Sequence, residues 1–195
     1  MSTNTDTLSP DALLLDIADY AVGYAVATEV AYQSARHCLL DSLACALESL
    51  DHSECTRLLG PVPPGGNLPG GARVPGTAWM LDPVKATFDI ASMVRWLDLS
   101  DTWIAPQTTH PSDDVGALLA VSDYLSRSGA LAGSAGPAPL TMRHMLSALV
   151  KAHELQGALG AHTRLSTHGI DNVFLTKVAC AAMTAQLMGG DRAQI

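Results

Sequence analysis

Arg95-Trp-Leu-Asp-Leu-Ser-Asp-Thr-Trp-Ile-Ala-Pro-Gln-Thr-Thr-His-Pro-Ser-Asp-Asp114 is the stretch around which this chain is organised. Its twenty residues hold four carboxylates, one His, two of the chain's three Trp and two prolines. Upstream, Asp82-Pro83 pairs a capping side chain with a proline at the first helical position. A helix from there carries Val84, Phe88, Ala91 and Arg95 along one face and runs to Trp96 and Asp98. Downstream, Pro111 pushes His110 into an extended conformation. Ser112 then caps a further helix with Asp113 and Asp114 in its first turn, where acids favour the helix dipole, and with Val115, Leu118, Leu119 and Leu125 on its apolar side. Helix, irregular polar connection, helix is a pattern that points to an all-α fold with its chemistry at the connection.

The remaining chain agrees. It is 48% hydrophobic but only 5% aromatic, and this Ala- and Leu-rich mixture favours helix over sheet. Ser9-Pro10-Asp11 starts a first helix with Leu13, Leu14, Ile17, Ala21 and Tyr24 at helical spacing, reaching about Val26. Thr28 caps a second, from Glu29 to about Leu50, apolar on more than one side and therefore central. A short turn of helix lies near Ser53 to Leu59. Thr141 opens a helix through Leu146, Leu149, Val150 and His153, ending between Gly157 and Gly160. Asn172 opens another that Gly189-Gly190 closes. Asp191 to Ile195 has the pattern of a first turn.

Two segments break the helical pattern. Eleven of the seventeen residues from Gly60 to Gly76 are Gly or Pro, which excludes helix and central strand and predicts a surface loop over residues 60–76. Its glycines lack the order of a phosphate-binding loop. Residues 126–139, rich in Gly, Ala, Ser and Pro, predict a flexible loop. The length suits one domain, residues 1–195.

A net charge of −8 with 11 Lys and Arg argues against nucleic acid and anionic membranes as partners. No apolar run approaches the roughly 18 residues that span a bilayer, and the first residues lack signal-peptide character, so a cytoplasmic protein is expected. Cys38, Cys45, Cys55 and Cys180 show no zinc or redox spacing and read as reduced thiols.

Within the polar stretch, Asp98 and Asp101 would share a face if the helix persisted, and Thr102 would stand one turn beyond Asp98. His110 is close enough in sequence to fold back over them. Two chemistries are open. In one, His110 is an acid/base group, with Asp98 orienting it or taking a proton itself. In the other, Asp98, Asp101 and His110 ligate a divalent cation, which no compact ligand spacing supports. Arg95 and Asp98, at i and i+3, also read as a plain ion pair, and His110 as a loop-fixing hydrogen-bond partner.

The same residues carry a resemblance. Arg95-Trp-Leu-Asp-Leu-Ser-Asp-Thr-Trp followed by His110-Pro-Ser-Asp resembles the motif of the MmgE/PrpD family, most closely its 2-methylcitrate dehydratase branch. Cys38-Leu-Leu-Asp-Ser-Leu, Leu58-Leu-Gly-Pro, Arg73-Val-Pro-Gly-Thr, Leu81-Asp-Pro-Val and Lys151-Ala-His-Glu-Leu-Gln-Gly are similar to that branch in the same order. The resemblance implies a helical main domain, here without its later helices and the smaller α+β domain. It also implies a homodimer and a lyase that needs no cofactor and no metal, acting on a tricarboxylate in propionate breakdown. The family's pocket Asp, Thr and His would fall on Asp98, Thr102 and His110, with His110 and Asp98 catalytic and Thr102 binding substrate; Arg95 and Asp101, from the reading of the residues themselves, are further substrate-binding candidates. A cis-aconitate decarboxylase-like activity is the neighbouring alternative within the family, and a non-catalytic helical interaction module is the alternative outside it. Family members run to more than twice this length and place further pocket cations beyond Ile195, so the chain alone is expected to be a fragment with little activity. The segment Ala161 to Gly169 and the loop Ile104 to Thr109 depart from the branch in detail, which leaves substrate identity open.

Overall fold

The computed structural model describes residues 10–131 and 139–195. Helix α1 (Ala12–Gly23) begins at Asp11, whose carboxylate accepts the Leu14 amide at 2.9 Å, so the cap is Asp11; the expected cap, Ser9, lies outside the described residues. Its buried residues are Ile17, Ala18 and Ala21, whereas Leu13, Leu14 and Tyr24, expected on the same face, are exposed. Helix α2 (Glu29–Glu48) follows Thr28 and passes through a 3-10 turn, Ser49–Asp51, into the short α3 (Ser53–Thr56).

The Gly/Pro-rich segment contains a correction. Its end folds into β1 (Ala72–Arg73), which pairs antiparallel with β2 (Met80–Leu81), Ala72 opposite Leu81. Ala72, Val74 and Leu81 are buried, so this part of the expected surface loop is a hairpin that enters the core. The fold is otherwise helical, as expected.

Helix α4 (Pro83–Arg95) starts as its sequence predicts: Asp82 accepts the Val84 and Lys85 amides at 3.1 and 3.0 Å. The buried face is the opposite of the expected one. Val84 is 78% and Phe88 50% exposed, while Ala86, Asp89, Ile90, Met93 and Val94 are buried. The polar Asp89 hid this stripe. It is fully buried because its carboxylate binds the Lys85 ammonium and accepts the Gly60 amide at 2.8 Å, fastening the Gly/Pro-rich segment to the helix. Removing one partner of a buried pair leaves the other charge uncompensated and costs about 3–5 kcal/mol. Asp89→Ala should therefore lower the unfolding free energy by about 3 kcal/mol in urea titration. A loss below about 1 kcal/mol would show the pair to be dispensable.

After the 3-10 turn Pro111–Asp114, helix α5 (Val115–Leu131) continues past Ser126, through the first residues of the expected loop; the rest of that loop, to residue 138, lies outside the described residues. Helix α6 (Met142–His162) is capped reciprocally by Thr141 and His144, and α7 (Val173–Leu187) ends with Gly189 in the left-handed region at φ 88°. Two apolar clusters result. One gathers Ile17, Tyr32, Leu39, Leu118, Met145, Leu149, Ala179 and Met183 from α1, α2, α5, α6 and α7. The other packs α4 and the hairpin through Val74, Leu81, Ile90, Met93 and Val94, and Leu119 of α5 touches both. The polar connection 96–114 runs from the second cluster to α6.

Candidate active site

Helix α4 ends at Arg95, and three residues on Asp98 takes φ 52°, a left-handed conformation that an Asp tolerates better than most residues. Asp98 and Asp101 consequently do not share a helical face, contrary to the expectation. The Asp98 side chain is 80% exposed and pairs with Arg95 Nη2 at 3.2 Å. Arg95 also reaches Asp113 Oδ1 at 3.4 Å through Nε and Ser100 Oγ at 3.4 Å through Nη1. The guanidinium thus ties the helix end to the turn after His110.

The chain then closes a loop. Trp103 and Thr109 exchange backbone hydrogen bonds of 2.9 and 3.1 Å. The loop is seated on α6: the Gln107 amide donates to Gly160 O at 2.9 Å, and the Trp103 ring lies over Gly157, where a Cβ would come within 2.2 Å of ring carbons. On its other side, Gln107 Oε1 accepts the Ser166 amide at 3.0 Å, and Asn172 Nδ2 donates to Thr108 O at 3.1 Å.

Closing the loop brings Thr102 and His110 together, with Thr102 Oγ1 3.5 Å from His110 Nδ1. The same nitrogen is 2.8 Å from the main-chain oxygen of Asp101. A carbonyl can only accept, so Nδ1 carries a proton, and in the neutral ring Nε2 holds the lone pair. Asp101, expected to bind substrate, has its carboxylate engaged by the protein. Oδ1 accepts the Ser112 amide at 2.9 Å and Oδ2 accepts the Cys38 thiol at 3.4 Å. His153 Nε2 stands 3.9 Å from the same sulfur.

Ser112 does not cap α5: residues 111–114 form the 3-10 turn, and its hydroxyl is buried without a partner. Among the described residues no three His, Cys, Asp or Glu side chains form a metal-ligating group. Arg73 is held by Asp123 through several hydrogen bonds, the shortest 2.6 Å.

Cys38 and His153 join the site although neither lies in the polar stretch. Their partners are distant in sequence, Cys38 lying 63 residues from Asp101 and 115 from His153. Burial, reinforced by the Asp101 charge, pushes the Cys38 thiol up to about 12, so it stays a donor. Burial also holds the His153 imidazole down to about 4, against the Asp101 charge and a hydrogen bond with the Pro111 backbone.

A second buried group adjoins the site. Asp114, fully buried, accepts the Cys180 thiol at 3.2 Å, and burial pushes its carboxyl up to about 8, with the Asp113 and Asp101 charges adding to the rise. Burial raises Asp113 as well, opposed by Arg95 and His110. The signs of Asp114 and His153 differ. From the ordinary carboxylate value of about 4 up to about 8, the folded chain keeps on Asp114 a proton that the unfolded chain has lost, so stability falls as pH rises. Between about 4 and the ordinary imidazole value of about 6.5, the unfolded chain holds a proton that folded His153 lacks, so stability rises with pH. The two oppose below about pH 6.5 and only Asp114 remains above it. Urea midpoints should therefore decline from pH 6.5 to 8, and Asp114→Asn should remove the decline; an unchanged slope in that variant would clear Asp114.

These residues lie in a segment with known relatives. The MmgE/PrpD N-terminal domain matches residues 15–195, and the chain belongs to that family. It is 47% identical over 197 residues to the 2-methylcitrate dehydratase of Salmonella typhimurium, covering 100% of this chain and 40% of that protein. It is 48% identical over 198 residues to that of Cupriavidus necator, again with 100% and 40% covered. The mitochondrial 2-methylcitrate dehydratase of Yarrowia lipolytica is 41% identical over 195 residues, 99% of this chain and 37% of that protein. The chain thus spans about 40% of the length of the curated relatives it matches. Among the described residues no helix is long and apolar enough to cross a membrane.

Proposed function

We propose that this chain supplies the acid/base wall of a hydro-lyase that converts 2-methylcitrate to 2-methyl-cis-aconitate and water. The observation that carries the reading is His110, whose Nδ1–H is spent on Asp101 O at 2.8 Å, with the Thr102 hydroxyl 3.5 Å from that same nitrogen, so that Nε2 is the lone-pair nitrogen of the neutral ring. In the reaction, Nε2 takes the proton from the carbon bearing the methyl group and a carboxylate. The C–H electron pair becomes the new double bond, and the hydroxyl on the neighbouring carbon leaves as water after receiving a proton, for which the newly formed imidazolium is the donor. Thr102 binds a substrate carboxylate or hydroxyl. Asp98, exposed at the helix end, orients substrate or base from the open side, and Arg95 contributes positive charge to the tricarboxylate at the expense of its pairing with Asp98. A cytoplasmic homodimer working without a cofactor completes the reading.

The test is a chimera in which residues 1–195 replace the matching segment of the Salmonella typhimurium relative. Turnover of 2-methylcitrate by the chimera supports the proposal; decarboxylation of cis-aconitate without that turnover would shift it to the neighbouring activity. The competing reading, a helical interaction module without catalysis, is favoured by the exposure of Leu40, Val84 and Ile104. A chain that forms a stable dimer on sizing, joined to a chimera that turns over neither substrate, would favour the module.

A further inference from the structure

Asp101 presents two acceptors to the loop that follows it. The main-chain oxygen accepts His110 Nδ1 at 2.8 Å, and carboxylate Oδ1 accepts the Ser112 amide, two residues beyond that ring, at 2.9 Å. Ser112 itself is buried. The second carboxylate oxygen accepts the Cys38 thiol of α2 at 3.4 Å, and the same sulfur stands 3.9 Å from His153 Nε2 of α6. One residue therefore holds the ring, holds the backbone that carries the ring, and is braced from two helices.

We infer that Asp101 is a positioning residue that keeps His110 in the Nδ1–H tautomer, with Nε2 as its basic nitrogen. The physical need is plain. A free neutral imidazole prefers its proton on Nε2, so the Nδ1–H form persists only where a fixed acceptor faces Nδ1. A main-chain carbonyl is such an acceptor as long as residues 101 and 110 keep their relative placement. The carboxylate supplies that constancy by bonding across the loop to Ser112. Cys38 and His153 keep the carboxylate from turning outward. Substrate binding is thereby reassigned away from Asp101.

The bearing on catalysis rests on the proposed role of His110; the tautomer does not. The test uses the full chain labelled with 15N at histidine and long-range 1H–15N correlation spectra, with His110 assigned by its absence in His110→Ala. In its neutral form, wild-type His110 should show a pyrrole-like Nδ1 and a pyridine-like Nε2. Asp101→Ala removes the bond to Ser112, and Asp101→Glu keeps the charge while displacing it by one methylene; both should return His110 to the Nε2–H form. Asp101→Asn, which retains a carbonyl acceptor for the Ser112 amide, should preserve the wild-type pattern. If Asp101→Ala does not fold, Asp101→Glu carries the test. In the chimera, Asp101→Glu should lower kcat roughly 100-fold with KM within a few-fold, and Asp101→Asn should restore most of it. Wild-type His110 in the Nε2–H form, or an unchanged Nδ1–H form in Asp101→Ala or Asp101→Glu, would overturn the inference. A chimera whose turnover survives His110→Ala would instead remove the catalytic reading and leave the tautomer result standing.

Discussion

His110→Ala, measured in the chimera with 2-methylcitrate, is expected to lower kcat by roughly 10²- to 10⁴-fold, the range that a positioned acid/base side chain contributes. KM should change by no more than a few-fold. The reason for the split is the geometry of the ring. Its Nδ1 is occupied by Asp101 O, so the imidazole meets substrate only through Nε2, at the atom whose proton moves. A group that acts mainly as the proton moves stabilises the transition state far more than the ground state, and its loss appears in kcat. Thr102→Ala should behave in the opposite sense, raising KM more than it lowers kcat, because a hydroxyl that binds substrate does so before and during the reaction. Equal kcat in wild type and His110→Ala would remove the imidazole from the mechanism.

Gly157→Ala should lower both stability and turnover, although local helix energetics predict the reverse. In the interior of a helix Ala is favoured over Gly by about 1 kcal/mol. Against that, the new methyl would sit 2.2 Å from two carbons of the Trp103 ring and 2.7 Å from a third. The indole must move by more than 1 Å to reach ordinary contact. Its backbone is held, since Trp103 is tied to Thr109 by two backbone bonds and Gln107 is tied to Gly160, so either the indole turns away from α6 or the loop shifts with it. Overpacking of this kind costs about 1–3 kcal/mol, enough to outweigh the helix gain. The displaced loop is the one that joins Thr102 to His110, and a misplacement of about 1 Å can cost on the order of 10² in rate. Gly23→Ala provides the comparison: a Cβ there meets nothing within 4 Å, so stability should hold or rise. The predicted readouts are a lower urea midpoint and shifted Trp fluorescence for Gly157→Ala alone. Equal midpoints for the two variants would mean that Trp103 swings clear without consequence.

Much of the helical frame was legible because its signals are local. Asp82-Pro83, the Thr141 cap and Gly189 each act within one turn of their own position, and the observed α4, α6 and α7 begin or end at them. The face that a helix buries proved harder to read. On α4 the apolar Val84 and Phe88 are exposed and the charged Asp89 is buried, since burial of that carboxylate depends on Lys85 and on a Gly60 amide 29 residues away. The hairpin 72–81 escaped notice for a related reason: its strands are two residues each, too short for an alternating pattern.

The polar stretch divides in the same way. The residue types, their order from Arg95 to Asp114, and the proline that extends His110 were determined by the sequence alone, because steric rules and chemical identity belong to the residues themselves. Tertiary structure decided which way each group faces. It turned the chain at Asp98, just past the end of α4, with a left-handed residue, turned the Asp101 carboxylate inward toward Cys38 and Ser112, and set Nδ1 of His110 against a carbonyl. Those outcomes depend on Cys38 of α2, 63 residues from Asp101, and His153 of α6, 115 residues from Cys38, meeting at one loop, and contacts at such separations leave no periodic trace in the chain.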